Sequence, residues 1–159
     1  MYFFNLFDNH ADSLSGNYYD PEVAAEIAKI ADKRTVRMVD HYTALTPVND
    51  GFEVGMTYAN YNINVYTKNP QRYIQELAEY QAAANQNGFE DVTLGAFEIN
   101  SGDYTGQIMV VIQAPTAVRL GEFFDAGEEA WNVAASAKFP KLRKLKRGFL
   151  MTCEIVYAR

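Results

Sequence analysis

The stretch from Val54 to Thr67 limits the fold more than any other part of the chain. Its side chains alternate with period two. A strand therefore places Ala59, Tyr61, Ile63 and Val65 on one face and Tyr58, Asn60, Asn62, Asn64 and Tyr66 on the other. This is a long strand for 159 residues. Shorter alternating runs over Tyr2–Phe7, Thr35–Ala44, Val92–Ile99, Gln107–Gln113 and Phe149–Tyr157 predict further strands. Asn100-Ser101-Gly102-Asp103 and Asn49-Asp50-Gly51 read as turns.

Three helices are expected from their start signals. Asp20-Pro21-Glu22 supplies a cap, a first-turn proline and an acid, followed by Val23, Ile27 and Ile30 at helical spacing. Asn69-Pro70 repeats the device before the stripe Tyr73, Leu77, Tyr80 and Ala84, and Asn87-Gly88 ends it. The third helix is expected from Pro115-Thr116, burying Leu120, Phe123, Phe124, Trp131 and Ala134. Gly121 and Gly127 weaken it by about 1 kcal/mol each, which suggests close packing as their reason.

The fold class is thus α+β. Residues 52–159 read as a ferredoxin-like β-α-β-β-α-β domain, an antiparallel sheet with helices on one face. Residues 1–51 read as an N-terminal β-α-β extension, the two together forming one compact unit. In element order, long first strand and aromatic-rich strands, the chain resembles the dimeric α/β-barrel superfamily. That superfamily includes cofactor-independent antibiotic-biosynthesis monooxygenases and haem-degrading monooxygenases. The resemblance implies a small-molecule site and a homodimer, and in its haem-degrading branch an Asn, a His and a Trp around the porphyrin.

Composition excludes several classes. Hydrophobic residues at 48% and charged residues at 21% rule out disorder and low complexity. No apolar run approaches the roughly 20 residues that cross a bilayer. Cys153 is the single cysteine, which leaves no disulfide framework or cysteine zinc site within one chain. On its predicted strand it reads as a small buried hydrophobe. The apolar start is short, interrupted by Asn5 and Asp8 and without a basic leader, so a cytoplasmic protein is expected. Residues 1–137 carry 7 basic and 19 acidic side chains, and residues 138–159 carry 7 and 1. An acidic body argues against nucleic acid as a partner.

Candidate chemistry centres on the asparagine face. Asparagine is depleted in strands, and each amide offers two donors and an acceptor that need partners when buried. Tyr58, Asn60, Asn62, Asn64 and Tyr66 therefore read either as a polar site for a planar, oxygen-rich aromatic or as a solvated or subunit-facing sheet surface. His41, on a predicted strand, and Trp131 are the remaining catalytic candidates, each with a plain structural alternative. Asp8, His10 and Asp12 alternate like metal ligands, but a polar turn explains them equally and no metal site is assigned. Lys138 to Arg147 holds six basic residues, suited to an acidic partner or to a solvated linker with Phe139, Leu142 and Leu145 packed inward.

Phosphate loops, nucleophile elbows, zinc-protease and dinucleotide fingerprints are missing from the sequence. Two functions remain open. One is a small-molecule-binding protein, in enzymatic form a cofactor-independent monooxygenase, with no cofactor expected and haem as the alternative. The other is a non-catalytic oligomeric binding or assembly protein. Eleven tyrosines and ten phenylalanines favour a homodimer that covers the sheet face opposite the helices.

Overall fold

In the computed structural model the described residues are 4–15, 21–29, 31–33, 35, 39–48, 51 and 53–156. Two units are distinguished, one within residues 1–38 and one within 39–159. The first contains α1 (His10–Leu14), α2 (Pro21–Ala28) and a 3-10 turn at Ala31–Lys33. The Asn9 side chain accepts from the Asp12 backbone N–H at 2.9 Å, which starts a helix where a polar loop was expected. Phe4–Phe7 form no strand, contrary to the expected β-α-β extension. Alternation over so few residues is a weak signal for a strand.

The second unit runs β1 (Tyr42–Ala44), β2 (Thr57–Tyr66), α3 (Pro70–Gln86), β3 (Thr93–Ile99), β4 (Ile108–Ala114), α4 (Ala117–Asp125), α5 (Ala130–Ser136), α6 (Phe139–Leu142) and β5 (Lys144–Glu154). All five strands form one antiparallel sheet in the order β1-β3-β4-β2-β5. β2 pairs with β4 from Ala59↔Ala114 to Val65↔Ile108 and with β5 from Thr57↔Glu154 to Tyr66↔Lys144.

Several expected boundaries shift for identifiable reasons. Of the run Thr35–Ala44 only Tyr42–Ala44 is a strand among the described residues, because its partner β3 ends at Ile99. β5 starts at Lys144 rather than Phe149, with an irregularity opposite Asn64 and Val65. Its cations do not prevent a strand, since β5 is an edge strand of the described sheet and edge strands commonly carry lysine. The single expected third helix is broken at a 3-10 turn, Ala126–Glu128, and Glu129 is extended before α5. The break re-aims α5, so Asn132 is buried and Ala134 is exposed.

The core lies between the sheet and the helices. Ala59, Ile63 and Val65 of β2 and Val110 and Ile112 of β4 meet Tyr73, Leu77 and Tyr80 of α3 and Leu120 and Phe123 of α4. Glu76, also buried on α3, pairs with Arg72 and with Lys138 (2.9 Å to Oε2), which ties α3 to the start of α6. Among the described residues no helix is long and apolar enough to cross a membrane. The hydroxyl end of Tyr61 passes close to β5 because Gly148 leaves room: a Cβ there would come within 2.5 Å of the Tyr61 hydroxyl and 3.0 Å of its ring. Gly148→Ala should therefore lower stability by about 1–3 kcal/mol. In a double-mutant cycle read by urea unfolding, Tyr61→Leu should recover part of that loss.

Candidate functional site

The asparagine row is buried. Asn60, Asn62 and Asn64 are 7%, 1% and 4% exposed, although they lie on the face of β2 opposite the helix-packed Ala59, Ile63 and Val65. This differs from the expectation of a bare second face. Register places Gln113, Val111 and Met109 of β4 on one flank and Met151, Phe149 and Arg147 of β5 on the other. Mostly long apolar side chains thus border the amides on both sides.

Three atoms of the row, Asn60 Oδ1, Asn62 Nδ2 and Asn64 Oδ1, are buried without a hydrogen-bond partner. Each such group costs about 1–3 kcal/mol relative to a satisfied one. Atoms without accessible surface are out of reach of a second copy docking rigidly on the face. Tyr66 ends the row and is 46% exposed, so it stands apart from the buried amides. Tyr58 is cross-strand neighbour to Cys153. Burial, and then the nearby thiol, push its phenol up to about 12, while burial raises the Cys153 thiol.

On the opposite side of β2, sequence reasoning missed a cavity of about 330 Å³ lined by Ala59, Ala117, Leu120, Gly121, Phe124, Leu150, Met151 and Thr152. Small residues at 59, 117 and 121 open it. Gly121, read from sequence as a close-packing glycine, has nothing within 4 Å of a built Cβ, and neither has Gly127. The glycine makes space rather than contact. Phe124 stands on edge to Tyr61 at 5.3 Å and is exposed, not buried as its stripe suggested. Leu150, 64% exposed, forms the outer rim on β5. The signal available in the sequence was the small residue at 121 beside the apolar stripe of Leu120, Phe123 and Phe124.

The other candidates are dispersed. His41 precedes β1; its N–H donates to Ser101 Oγ at 2.8 Å and its carbonyl accepts from the Asn100 N–H. Trp131 packs at the core edge against Tyr80 and Phe89, and its indole donates to Glu129 at 2.6 Å. Neither lines the cavity. His10 lies on α1. Among the described residues no group of three or more His, Cys, Asp or Glu is placed to hold a metal ion.

The basic segment is not a solvated linker. Lys138 is committed to Glu76 and Glu79, Phe139 is buried in α6, and residues 144–147 belong to β5. Leu142 is half-buried as expected, whereas Leu145 is exposed.

Fold and site together define an α+β protein with a five-stranded antiparallel sheet and an apolar cavity under α4. No family model matches the chain, and no curated protein does. Two solved structures from Bacteroides are similar to it. One is a conserved protein of unknown function from Bacteroides thetaiotaomicron, described as a possible oxidoreductase, at 17% identity and a TM-score of 0.39. The other is a dimeric protein of unknown function and ferredoxin-like fold from Bacteroides fragilis, at 8% identity and a TM-score of 0.40. Each match covers 65% of this chain and 100% of the other. Likeness at this distance transfers no activity.

Two outcomes are expected. Replacing an unpartnered buried amide with an apolar side chain of similar size should help, so Asn62→Leu raises the unfolding free energy by about 1 kcal/mol in urea titrations. A fall of that size would show that the amide is satisfied in solution. Burial also raises the phenols of Tyr73 and Tyr80, alongside Tyr58. The unfolded chain ionises them at the ordinary value of 10.0, before the folded one does. For Tyr58 the contribution is therefore complete below pH 10.0 and falls as pH rises towards about 12, and for Tyr73 and Tyr80 it likewise falls above 10.0. Urea midpoints across that range should drop, and less steeply in Tyr58→Phe.

Proposed function

We propose that the chain from Val39 onward is a ferredoxin-like small-molecule-binding protein whose ligand occupies the cavity between α4, β2 and β5. The observation that supports this is the cavity itself: about 330 Å³, apolar except for the Thr152 hydroxyl, and opened by Ala59, Ala117 and Gly121. Its size falls within the range of small-ligand sites, and one polar group in an apolar lining is enough to orient a ring with a single oxygen substituent. The lining favours a less oxygen-rich molecule than the asparagine row suggested from sequence.

Oxygenation without a cofactor is the finer form of this reading. It asks the substrate to ionise without a neighbouring base, since the eight lining residues include neither acid nor base. Binding is the more direct inference. The asparagine row, on the far side of β2, then serves the fold's interior rather than the ligand.

A second reading, oligomeric assembly, is favoured by the outermost position of β5 and the exposure of Leu145 and Leu150 along it. A homodimer built there would bury both leucines. Sedimentation equilibrium should then give twice the chain mass, and Leu150→Lys should return the protein to a monomer.

The ligand reading is tested by titrating N-phenyl-1-naphthylamine, an uncharged planar fluorophore. The native protein should enhance its emission saturably. Gly121→Leu, which fills the cavity, should weaken binding by about tenfold or more, whereas Gly127→Ala should not. Equal binding to the native protein and Gly121→Leu would overturn the reading.

A further inference from the structure

The geometry points to a second binding site, for a small organic carboxylate, at Arg143. A separate cavity of about 330 Å³ lies among α5, α6 and the start of β5, lined by Ser136, Phe139, Pro140, Arg143 and Leu145. Arg143 is held there by its surroundings. Its backbone is extended (φ −137°, ψ 155°), and its N–H donates to the Phe139 carbonyl at 3.0 Å. The guanidinium carbon lies 4.8 Å from the Phe139 ring centre and 5.9 Å from that of Tyr73. Nη1 donates to the Tyr73 hydroxyl at 2.8 Å. Both rings are buried and packed edge-on at 5.8 Å, so the platform under the cation is rigid.

Among the described residues Arg143 is a half-buried cation with no internal counter-charge, whereas Lys141, Lys144 and Lys146, which have none either, are exposed to solvent. Lys138 neutralises Glu76 and Glu79, Arg72 also meets Glu76, and Arg119 meets Asp91 and Glu122. No carboxylate among the described residues lies within ion-pairing distance of Arg143. A guanidinium carries five N–H donors in a planar fork, of which one is directed to Tyr73. The fork matches a carboxylate through two parallel hydrogen bonds.

The walls select the rest of the ligand. Phe139, Pro140 and Leu145 offer an apolar surface for an alkyl or aryl body, and the Ser136 hydroxyl adds one further donor. Lys141, Lys144 and Lys146 lie close by in sequence and add positive potential for approach. A single fork beside apolar walls fits a monocarboxylate better than a phosphate, which gains from several cations.

Octanoate and benzoate, titrated into the full chain by calorimetry, are expected to bind saturably, with octanol and benzamide about tenfold weaker or more. Arg143→Gln should lose about the same factor, and Arg143→Lys, which keeps the charge without the fork, should fall between. If Arg143→Gln does not fold, Arg143→Lys against the native protein carries the comparison. Gly121→Leu should leave octanoate binding unchanged, which separates this site from the cavity under α4. The proposal is overturned if octanol binds as well as octanoate or if Arg143→Lys binds like the native protein. It is also overturned if Gly121→Leu abolishes binding, if inorganic phosphate displaces octanoate at lower concentration, or if only an acidic peptide binds.

Discussion

The structure depends on β2 being hydrogen-bonded along both edges while both of its faces are buried. Its ladders to β4 and β5 fix the register of the sheet's central strands. One face gives the core Ala59, Ile63 and Val65; the other holds three amides out of water. A shift of one residue would put the amides into the core and the apolar side chains among Met109, Val111 and Phe149. Neither arrangement is neutral, because three amides facing α3 and α4 would lose far more than the present row does. Register is therefore set by an asymmetry of cost rather than by a uniformly favourable pattern.

The broken helical layer follows from what it must cover. α4 packs over β2 and β4, and α5 meets α3, where Asn132 accepts from the Tyr80 hydroxyl at 3.1 Å. A straight helix could not present Leu120, Phe123 and Asn132 to these separate surfaces; the 3-10 turn at Ala126–Glu128 changes direction between them. The aromatic group of Tyr73, Tyr80, Phe89, Phe123, Trp131 and Phe139 fills the resulting space in mostly edge-on contacts. Both cavities border this layer, under α4 and beside α6.

Much of the second unit was legible in the chain because its signals are local. Period-two alternation located β2, β3 and β4, and Asn69-Pro70 located the start of α3, where the Asn69 side chain accepts from the Arg72 N–H at 3.1 Å. The faces of β2 followed from the same alternation. What failed depends on distant partners. β1 is short because β3 ends, and the cations of β5 join a strand because β2 is there to pair with them. The break after α4 and the space beside Gly121 are tertiary facts, and glycine alone does not say whether it admits a neighbour or leaves a gap. Of the site residues, the asparagines were recognisable as unusual, but their burial depends on side chains from β4 and β5.

β5, at one edge of the described sheet, has two chemically different halves. Lys144, Lys146 and Arg147 occupy its beginning, whereas Phe149 to Cys153 contains no charge. Two such strands approaching in antiparallel register would set the charged half of each against the uncharged half of the other and bring few like charges together. In parallel register the cations would coincide and repel. The placement of charge along one strand thus discriminates between modes of fibre-like stacking, suppressing the parallel one, and a polyanion or concentrated salt would weaken that protection.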